Sequence, residues 1–274
     1  MDEITAEYTL PELQVITELR IRPRVTVAAK TDLGRIRENN EDKFEYFLPE
    51  DDATLATRGL VFIVCDGMGG HAAGQIASEL ASKTFIDVYL HHPATDIDVA
   101  LRSAVVAANR FVHDISLAVP SRRGMGTTLS ALTLIQDKAY VAQVGDSRVY
   151  RMRDGLLEML TQDHTWVAEV VRLQMFTQED AERHQNRHML TRAIGIDSNV
   201  DVDLFTFDVQ VGDTFMLCSD GLLNHASDET IATIMRDTSP SEATWKLVNH
   251  ALQEGGSDNC TVMIVRVDAL EQVS

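Results

Sequence analysis

Cysteine is scarce in this sequence of 274 residues, which has only Cys65, Cys218 and Cys260. Their odd number and wide spacing argue against a disulfide framework and against a cysteine-ligated zinc site. We therefore interpret the three thiols as small apolar side chains at the ends of buried strands. The chain also has no apolar run of the roughly 20 residues that are needed to span a membrane.

Basic residues are also few, since 24 Lys and Arg face 42 Asp and Glu and give a net charge of −18. This balance argues against nucleic acid or an anionic membrane as the main partner, because both bind basic surfaces. If the substrate is an anion, the positive charge must come from bound metal and a few local arginines. The first thirty residues contain five acids and do not resemble a secretory signal, so we expect a cytoplasmic protein.

The length fits one large domain or two small ones, and no internal repeat or low-complexity tract divides the chain. Residues 1–22 are interpreted as an N-terminal extension, in which the capping-box pattern of Thr9 to Glu12 indicates a short helix over about 10–20. Residues 23–274 are predicted to form a single domain. Within it, the polar stretch 163–190, hereafter the flap segment, interrupts the strand pattern with two short helical stretches, the second capped at Thr177.

Apolar periodicity predicts an α+β architecture with antiparallel sheets, because strands and helices come in runs and do not alternate. An acidic loop is expected at 50–58, with hairpin turns at Asp137-Lys138 and Asp154-Gly155. The predicted helices span 72–90, 97–118 and a stretch capped at Ser239 that ends near Gly255. The predicted strands span 24–30, 43–48, 60–65, 127–136, 138–145, 147–153, 156–160, 201–209, 213–218 and 260–267.

Four aspartates lie beside predicted strand ends, namely Asp66, Asp146, Asp220 and Asp258. Converging carboxylates repel one another unless a cation holds them, and oxygen ligands suit hard ions such as Mg²⁺ or Mn²⁺. For any one site, the alternative is turn chemistry, since Asp-Gly is a common hairpin pair. Four such sites together favour a metal centre.

A set of ordered motifs adds to these aspartates and covers residues 25–267. The motifs are Arg37-x-x-Asn40-Glu41-Asp42, Asp66-Gly-Met-Gly-Gly-His71, Gly124-Met-Gly-Thr-Thr128, Gly145-Asp-Ser-Arg148, Leu160-Thr-x-Asp-His164, Ser219-Asp-Gly221 and Asp258-Asn259. In this order they closely resemble the motifs of the bacterial type-2C metal-dependent protein serine/threonine phosphatases. Each motif alone is weak, whereas seven in order are specific.

The resemblance implies a four-layer α-β-β-α sandwich, in which helices flank two central antiparallel sheets. It also implies two Mg²⁺ or Mn²⁺ ions, with a third in bacterial members, and direct attack of a metal-bridging hydroxide on phosphoserine or phosphothreonine. By this likeness Asp66 bridges the two ions, the Gly67 carbonyl binds one of them, and Asp220 and Asp258 ligate one ion. Asp146, with Asp220, would hold the third ion. Three further residues, Glu41, Asp42 and Asn259, would support the centre from the first or second shell.

Arg37 and His71 are the candidates for direct contact with the substrate. An arginine fork binds two phosphate oxygens at once, so Arg37 is expected to grip the phosphate. The leaving serine alkoxide needs a proton, and His71 is the nearest candidate acid in the sequence. The alternative for His71 is that it begins the helix predicted from residue 72.

Two other functions remain open at the level of the sequence. One is a phosphohydrolase of the same fold that acts on a small phosphorylated molecule. The other is a phosphoprotein-binding pseudoenzyme, which predicts losses among the metal carboxylates, and none is seen. As a phosphatase the protein is expected to be a monomer that acts on phosphoproteins made by a serine/threonine kinase.

Overall fold

The computed structural model describes residues 18–70 and 72–273. In this part of the chain the strands are β1 Ile21–Asp32, β2 Asp42–Phe47, β3 Leu60–Met68, β4 Gly126–Thr127, β5 Leu129–Ile135, β6 Lys138–Val144, β7 Arg148–Arg153, β8 Leu156–Met159, β9 Asp203–Asp208, β10 Thr214–Cys218 and β11 Cys260–Gln272. The helices are α1 Asp52–Thr57, α2 Ala72–His91, α3 Ile97–Ala118, α4 Trp166–Arg172, α5 Gln178–Arg183, α6 Asp220–Leu223, α7 Asp228–Met235 and α8 Pro240–Gln253, with a 3₁₀ turn at Pro120–Arg122.

The strands form two antiparallel sheets. The first has the order β1-β11-β10-β7-β8, and the second has the order β2-β3-β5-β6-β9, with β4 paired to β3. In the second sheet Asp42 of β2 lies directly opposite Asp66 of β3. This register brings two acidic residues that are far apart in sequence to the same end of the sheet.

The alternation of side chains along β3 explains the layering. Phe62 and Val64 point into the core between the two sheets, whereas Val61, Ile63 and Cys65 point toward α2 and α3. Both faces of β3 are therefore covered, which accounts for its uninterrupted apolar sequence. The helices α7 and α8 cover the outer face of the first sheet. The result is the four-layer sandwich that the family resemblance implied.

Several elements match their predictions closely. The helices α2 and α3 lie within a residue of the predicted 72–90 and 97–118, and the Asp96 side chain caps α3 by accepting the Val99 N–H. The hairpin between β7 and β8 turns at Asp154 and Gly155, both with positive φ. In the flap segment two short helices form, and Thr177 and Asp180 make the predicted capping box of the second.

Other elements correct the sequence analysis. The expected loop at 50–58 is wrong, because the Asp51 side chain accepts the Thr54 N–H and starts the short helix α1. The turn between β5 and β6 consists of Gln136 and Asp137, since Ile135 pairs with Lys138, so the predicted turn was one residue late. Strand β3 continues through Asp66 to Met68 and does not end at 65.

Near the N-terminus, residues 10–17 of the predicted short helix lie outside the described residues, and 18–20 are not helical. Strand β1 begins at Ile21, two residues before the predicted domain boundary, and Leu19 is already buried in the core between the sheets. None of the helices in the described ranges combines the length and apolar character that crossing a membrane requires.

Candidate active site

A cavity of about 1090 Å³ opens at the end of the two sheets where β3, α6 and the loop before β11 meet. It is lined by eight of the residues that the sequence analysis selected, namely Arg37, Glu41, Asp66, Gly67, Asp146, Asp220, Asp258 and Asn259. Asp42 lies outside this lining, and His71 lies outside the described residues. The structure therefore brings together residues from five separate parts of the chain.

Asp66 is held in place by Thr127, the last residue of β4, and by Thr128, which follows it. Its backbone N–H donates to Thr128 Oγ1 at 2.9 Å, and its carbonyl accepts from the Thr128 N–H and the Thr127 hydroxyl, each at 2.9 Å. These bonds fix the backbone of β3 after the core strand, where the sequence analysis expected a strand end. The Asp66 side chain is thus presented to the cavity from a rigid strand.

Gly67 is required by close backbone packing. A Cβ atom on Gly67 would lie 2.2 Å from the Gly74 carbonyl oxygen and 2.6 Å from the Glu41 carbonyl oxygen. The Gly67 N–H donates to the Glu41 carbonyl at 3.1 Å, and the Ser78 hydroxyl donates to the same carbonyl at 2.6 Å. Glu41 and the start of α2 are therefore packed against the backbone that carries Asp66.

Asn259 joins the loop beside Asp258 to the N-terminal loop of residues 33–41. Its amide nitrogen donates to the Leu33 and Asn39 carbonyls at 2.8 and 3.0 Å, and its amide oxygen accepts the Glu41 N–H at 2.8 Å. This buried side chain directs its amide nitrogen and its amide oxygen at backbone groups. Asn259 thus fixes the relative position of Glu41 and Asp258.

Asp42 lies behind the cavity and is almost fully buried. Its Oδ2 atom accepts hydrogen bonds from the Ser219 and Thr261 hydroxyls, both at 2.7 Å, while its Oδ1 atom has no hydrogen-bond partner within the described part of the chain. Burial raises the pKa of Asp42, although the two hydroxyls lower it. A buried carboxylate oxygen without a partner is costly, and a nearby cation would reduce that cost.

Arg37 lies at the rim with 52% of its side chain exposed. Its Nη2 atom donates to Asp258 Oδ2 at 2.7 Å, and this hydrogen bond raises the pKa of the guanidinium group. The carboxylate orients the arginine at the cavity edge. A fork in this position can meet an incoming phosphate while it remains tied to Asp258.

The loop that carries Asp146 is held by His164, a residue to which the sequence analysis gave no role. The backbone N–H of Gly145 donates to the ring nitrogen Nδ1 of His164 at 3.1 Å. In return, the backbone N–H of His164 donates to the Gly145 carbonyl at 2.9 Å. On its other side, His164 Nε2 lies 3.1 Å from Asp203 Oδ2, and Asp203 Oδ1 accepts from Arg192 Nη1 at 2.7 Å. In the sequence, only the motif that ends at His164 indicated that this residue has a role.

Two further residues of the flap segment, Arg187 and His188, line the cavity and were also missed. His188 Nδ1 lies 3.5 Å from Asp220 Oδ2. Their polar, irregular surroundings in the sequence gave no indication that they would lie opposite a proposed metal ligand. The end of the flap segment therefore forms one side of the cavity.

The negative charges around the cavity favour a bound cation. Burial, and then the charges of Asp42, Asp220, Asp146 and Asp258, raise the pKa of Asp66 well above its ordinary value. Burial and the charge of Asp220 likewise raise the pKa of Asp146. The candidate ligands are all oxygen atoms, which fits Mg²⁺ or Mn²⁺.

The carboxylates surround the cavity loosely. Within the described ranges no three Asp, Glu, His or Cys side chains converge closely enough to enclose an ion by themselves. This spacing fits ions that retain water among their ligands, as Mg²⁺ commonly does in phosphate-handling sites. The residues present are therefore compatible with hydrated Mg²⁺ or Mn²⁺.

Comparison with known proteins gives a consistent result. The profile of the family described as Protein phosphatase 2C matches residues 40–254. The serine/threonine phosphatase stp of Listeria monocytogenes is 36% identical over 248 residues, which cover 89% of this chain and 96% of that protein. The crystal structure of the serine/threonine phosphatase PstP of Mycobacterium tuberculosis has a TM-score of 0.79 and 34% identity, covering 89% of this chain and 99% of that one. A second structure, of the PstP catalytic domain in complex with two manganese ions, has a TM-score of 0.76 and 34% identity, with the same two coverages.

Proposed function

The chain belongs to the protein phosphatase 2C family and is a metal-dependent serine/threonine protein phosphatase, and from this premise we propose which of its residues carry the reaction. Its substrates are phosphoproteins. The proposal rests above all on one observation, the partly buried Asp66 carboxylate on which the charges of four other aspartates act. Such a group is stable as an anion only beside a cation.

Asp66 is the proposed shared ligand of two ions, and the Gly67 carbonyl, Asp220 and Asp258 are the other proposed protein ligands. Asp146, with Asp220, is the proposed pair for a third ion. When bound, two Mg²⁺ or Mn²⁺ ions neutralise the phosphoryl oxygens and activate water for attack on phosphorus. Support comes from the common cavity that all five residues line and from their oxygen donors.

The remaining site residues have positioning and binding roles in this proposal. Arg37 holds the phosphate through its free guanidinium edge, oriented by its bond to Asp258. Asn259 and Asp42 fix the segments that carry the ligands, since Asn259 binds three backbone groups and Asp42 accepts from Ser219 and Thr261. Glu41 lies at the cavity wall, where its carboxylate can orient water.

His71 is the proposed donor of the proton to the leaving serine or threonine oxygen. It stands between Gly70, which lines the cavity, and Ala72, where α2 begins. A general acid is useful here because alkoxides are poor leaving groups. The competing role, a purely structural residue at the helix start, is separated from this one by the leaving-group test in the Discussion.

Several wider features belong to the proposal as well. Residues 23–274 form one catalytic domain whose flap segment influences substrate choice, and a serine/threonine kinase produces its substrates. We propose a monomer that acts in the cytoplasm, without nucleic acid or membrane as a partner. The three buried free thiols and the net charge of −18 support this.

The test compares Asp66→Asn with Asp98→Asn, an exposed aspartate in the first turn of α3. Manganese binding by calorimetry and hydrolysis of a phosphothreonine peptide are measured for both. We expect Asp66→Asn to lose manganese binding and nearly all turnover, while Asp98→Asn keeps both. Wild-type manganese affinity in Asp66→Asn would remove Asp66 from the metal site.

A further inference from the structure

A second cavity of about 1380 Å³ adjoins the catalytic cavity, and we refer to it as the side groove. The two cavities share Asp146, Arg187, His188, Asp220, Asn224 and His225 in their linings. A phosphorylated side chain in the catalytic cavity belongs to a polypeptide that must leave it on some side. The shared lining gives that polypeptide a continuous path into the side groove.

The two long walls of the side groove differ in origin. One wall belongs to the flap segment and includes Val167, Glu169 and Arg172 of α4. The opposite wall is formed by the residues after α6, the first turn of α7 and the end of α8. Apolar side chains such as Val167 and Leu223 give the groove a surface on which an extended chain can pack.

One of the three arginines that line the groove is already neutralised. Arg148 donates through Nε and Nη2 to the two carboxylate oxygens of Asp163 at 2.9 and 2.7 Å, and through Nη1 to the Tyr150 hydroxyl at 2.8 Å. Such a paired fork has little capacity left for a ligand. The other two arginines, Arg172 and Arg187, form no ion pair within the described residues, so the free charge of the groove comes from them and from its unpaired carboxylates.

Three carboxylates on the wall opposite the flap segment have no cationic partner within the described residues. They are Asp228, Glu229 and Glu254, and together we name them the acidic wall. In the part of the chain that the structure describes, the Asp228 side chain accepts only the Tyr150 hydroxyl, at 3.0 Å. Some acidic residues on other exposed helix surfaces, by contrast, are paired with a basic residue four positions away, as Glu79 is with Lys83 and Glu242 with Lys246.

Helix stability explains only part of the acidic wall. Asp228 and Glu229 lie in the first turn of α7, where a carboxylate interacts favourably with the helix dipole. Glu254 is the residue that ends α8, and there a carboxylate interacts unfavourably with the dipole. Glu254 is therefore unfavourable for its own helix, yet it is exposed and lines a groove beside the active site. This combination points to a role in binding.

Resting on the proposed function, we propose that the side groove binds the polypeptide next to the phosphorylated residue and that the acidic wall selects substrates with Lys or Arg in that flank. Bound metal would offset Asp146 and Asp220, and Arg148 already neutralises Asp163. The four remaining carboxylates of the groove then exceed its two unpaired arginines, so the groove stays negative; these residues are Glu169, Asp228, Glu229 and Glu254 against Arg172 and Arg187. A basic flank supplies a counter-charge, whereas an acidic flank is repelled. The substrate class is thus a phosphoprotein whose phosphosite lies beside basic residues.

The test uses two phosphothreonine peptides that differ only in carrying Arg or Glu at the positions flanking the phosphothreonine. For the wild-type enzyme we expect kcat/KM to favour the Arg peptide by about two- to fivefold for each exposed ion pair formed. The preference should shrink as salt is added, since exposed charges are screened. Nitrophenyl phosphate, which has no flank, provides the reference for the chemical step.

The informative variants are Glu254→Lys and the double variant Glu229→Lys with Glu254→Lys. We expect them to reduce the Arg-over-Glu preference to near one or to reverse it, with nitrophenyl phosphate turnover within about twofold of wild type. Glu254→Lys should not lower Tm, because it places a cation at a helix C-terminus. Asp98→Lys, in the first turn of α3, is the control with the same charge change on another surface, and it should keep the preference.

A wild-type enzyme that hydrolyses both peptides equally, or prefers the Glu peptide, overturns the proposal. So does a preference that survives in the double variant, because another surface then reads the flank. Neither result affects the proposed catalytic residues, which are tested separately by manganese binding to Asp66→Asn.

Discussion

Arg37 combines an anchoring ion pair with exposure at the cavity rim. Its bond to Asp258 at 2.7 Å leaves half of the side chain exposed at the cavity rim. For Arg37→Ala we expect a loss of one charge-assisted contact to phosphate, worth about 1.5–3 kcal/mol. Measured kcat/KM for a phosphopeptide should then fall by about one to two orders of magnitude.

The lysine variant separates charge from geometry at this position. Arg37→Lys should recover only part of the lost kcat/KM, because an ammonium group lacks the planar fork. Inhibition by inorganic phosphate gives an independent measure of the same contact. An unchanged inhibition constant in Arg37→Ala would show that another group holds the phosphate.

His71 can be tested through the leaving group. A general acid contributes about 10²- to 10⁴-fold when the leaving group is poor, as serine and threonine alkoxides are. Nitrophenolate departs without a proton. His71→Gln should therefore slow phosphopeptide hydrolysis severely and nitrophenyl phosphate hydrolysis much less, both at saturating manganese. Equal slowing of both substrates together with weaker manganese binding would assign His71 to the metal site or to the start of α2.

Asp146 differs from Asp66 in its support, because it lies in the loop between β6 and β7, whereas Asp66 lies within strand β3. If it serves only a third ion, Asp146→Ala should keep two bound ions and lose turnover. Calorimetry with manganese counts the ions, and phosphopeptide assays measure the turnover. Loss of all binding would move Asp146 to the central pair of ions, and unchanged turnover at every manganese concentration would remove it from the mechanism.

Among the elements, the loop between β6 and β7 depends on a neutral histidine. His164 Nδ1 accepts the Gly145 N–H, so this nitrogen carries no proton, and burial lowers the pKa of His164 although Asp203 raises it. Asp203, Arg192 and Asp163 are the charged groups that act on the ring. In the unfolded chain a histidine has a pKa of about 6.5. Because the folded-state pKa is lower, His164 binds fewer protons in the folded protein than in the unfolded chain.

This difference has a definite sign. The stability that neutral His164 contributes is present above the unfolded-state pKa and is lost as pH falls through the lowered folded-state pKa. Urea unfolding between pH 8 and pH 5, approximately the range in which histidine titrates, should show a smaller loss of stability in His164→Gln than in wild type. Parallel pH profiles for the two proteins would mean that His164 has the same pKa in the folded and the unfolded protein.

The elements that could be predicted are those in which the spacing of apolar residues within the element itself shows which faces are buried. Both faces of β3 are covered, and α3 buries one regular stripe, so their apolar periodicity was sufficient. The short helices α1 and α6, and α7 with eight residues, were missed. Short helices are marginal on propensity alone and depend on caps and on packing against the sheet, which a single sequence does not display.

The same distinction holds within the active site. The aspartates carried a sequence signal because each stands in a motif. The partnership of His164 with Asp203 and Arg192 did not, because it joins residues far apart in sequence through side-chain contacts. Such contacts depend on sheet register and on the course of the flap segment, and both arise only from the complete fold.

At the scale of the whole molecule, function and stability are opposed at the metal site. The fold holds Asp42, Asp66 and Asp146 at the same end of the two sheets, and each has a raised pKa, mainly from burial. Without metal this arrangement is destabilising, since repelling carboxylates are held out of water. With metal the same residues add the free energy of ion binding to the stability of the fold.

Asp66→Asn should therefore have opposite effects in chelator and in manganese. In chelator the variant removes one buried negative charge, and we expect its Tm to exceed that of wild type by a few degrees, since 1 kcal/mol corresponds to about 2–4 °C for a domain of this size. In excess manganese the order should reverse, because wild type gains roughly 2.7 kcal/mol at one hundred times the dissociation constant. Scanning calorimetry of both proteins in both conditions measures the effect. The control Asp98→Asn should lose a small and equal amount of stability in both conditions, because it removes a favourable charge from the first turn of α3. If Asp66→Asn is the less stable protein in chelator, the Asp66 carboxylate is compensated without metal, and the charge-repulsion account of the site is wrong.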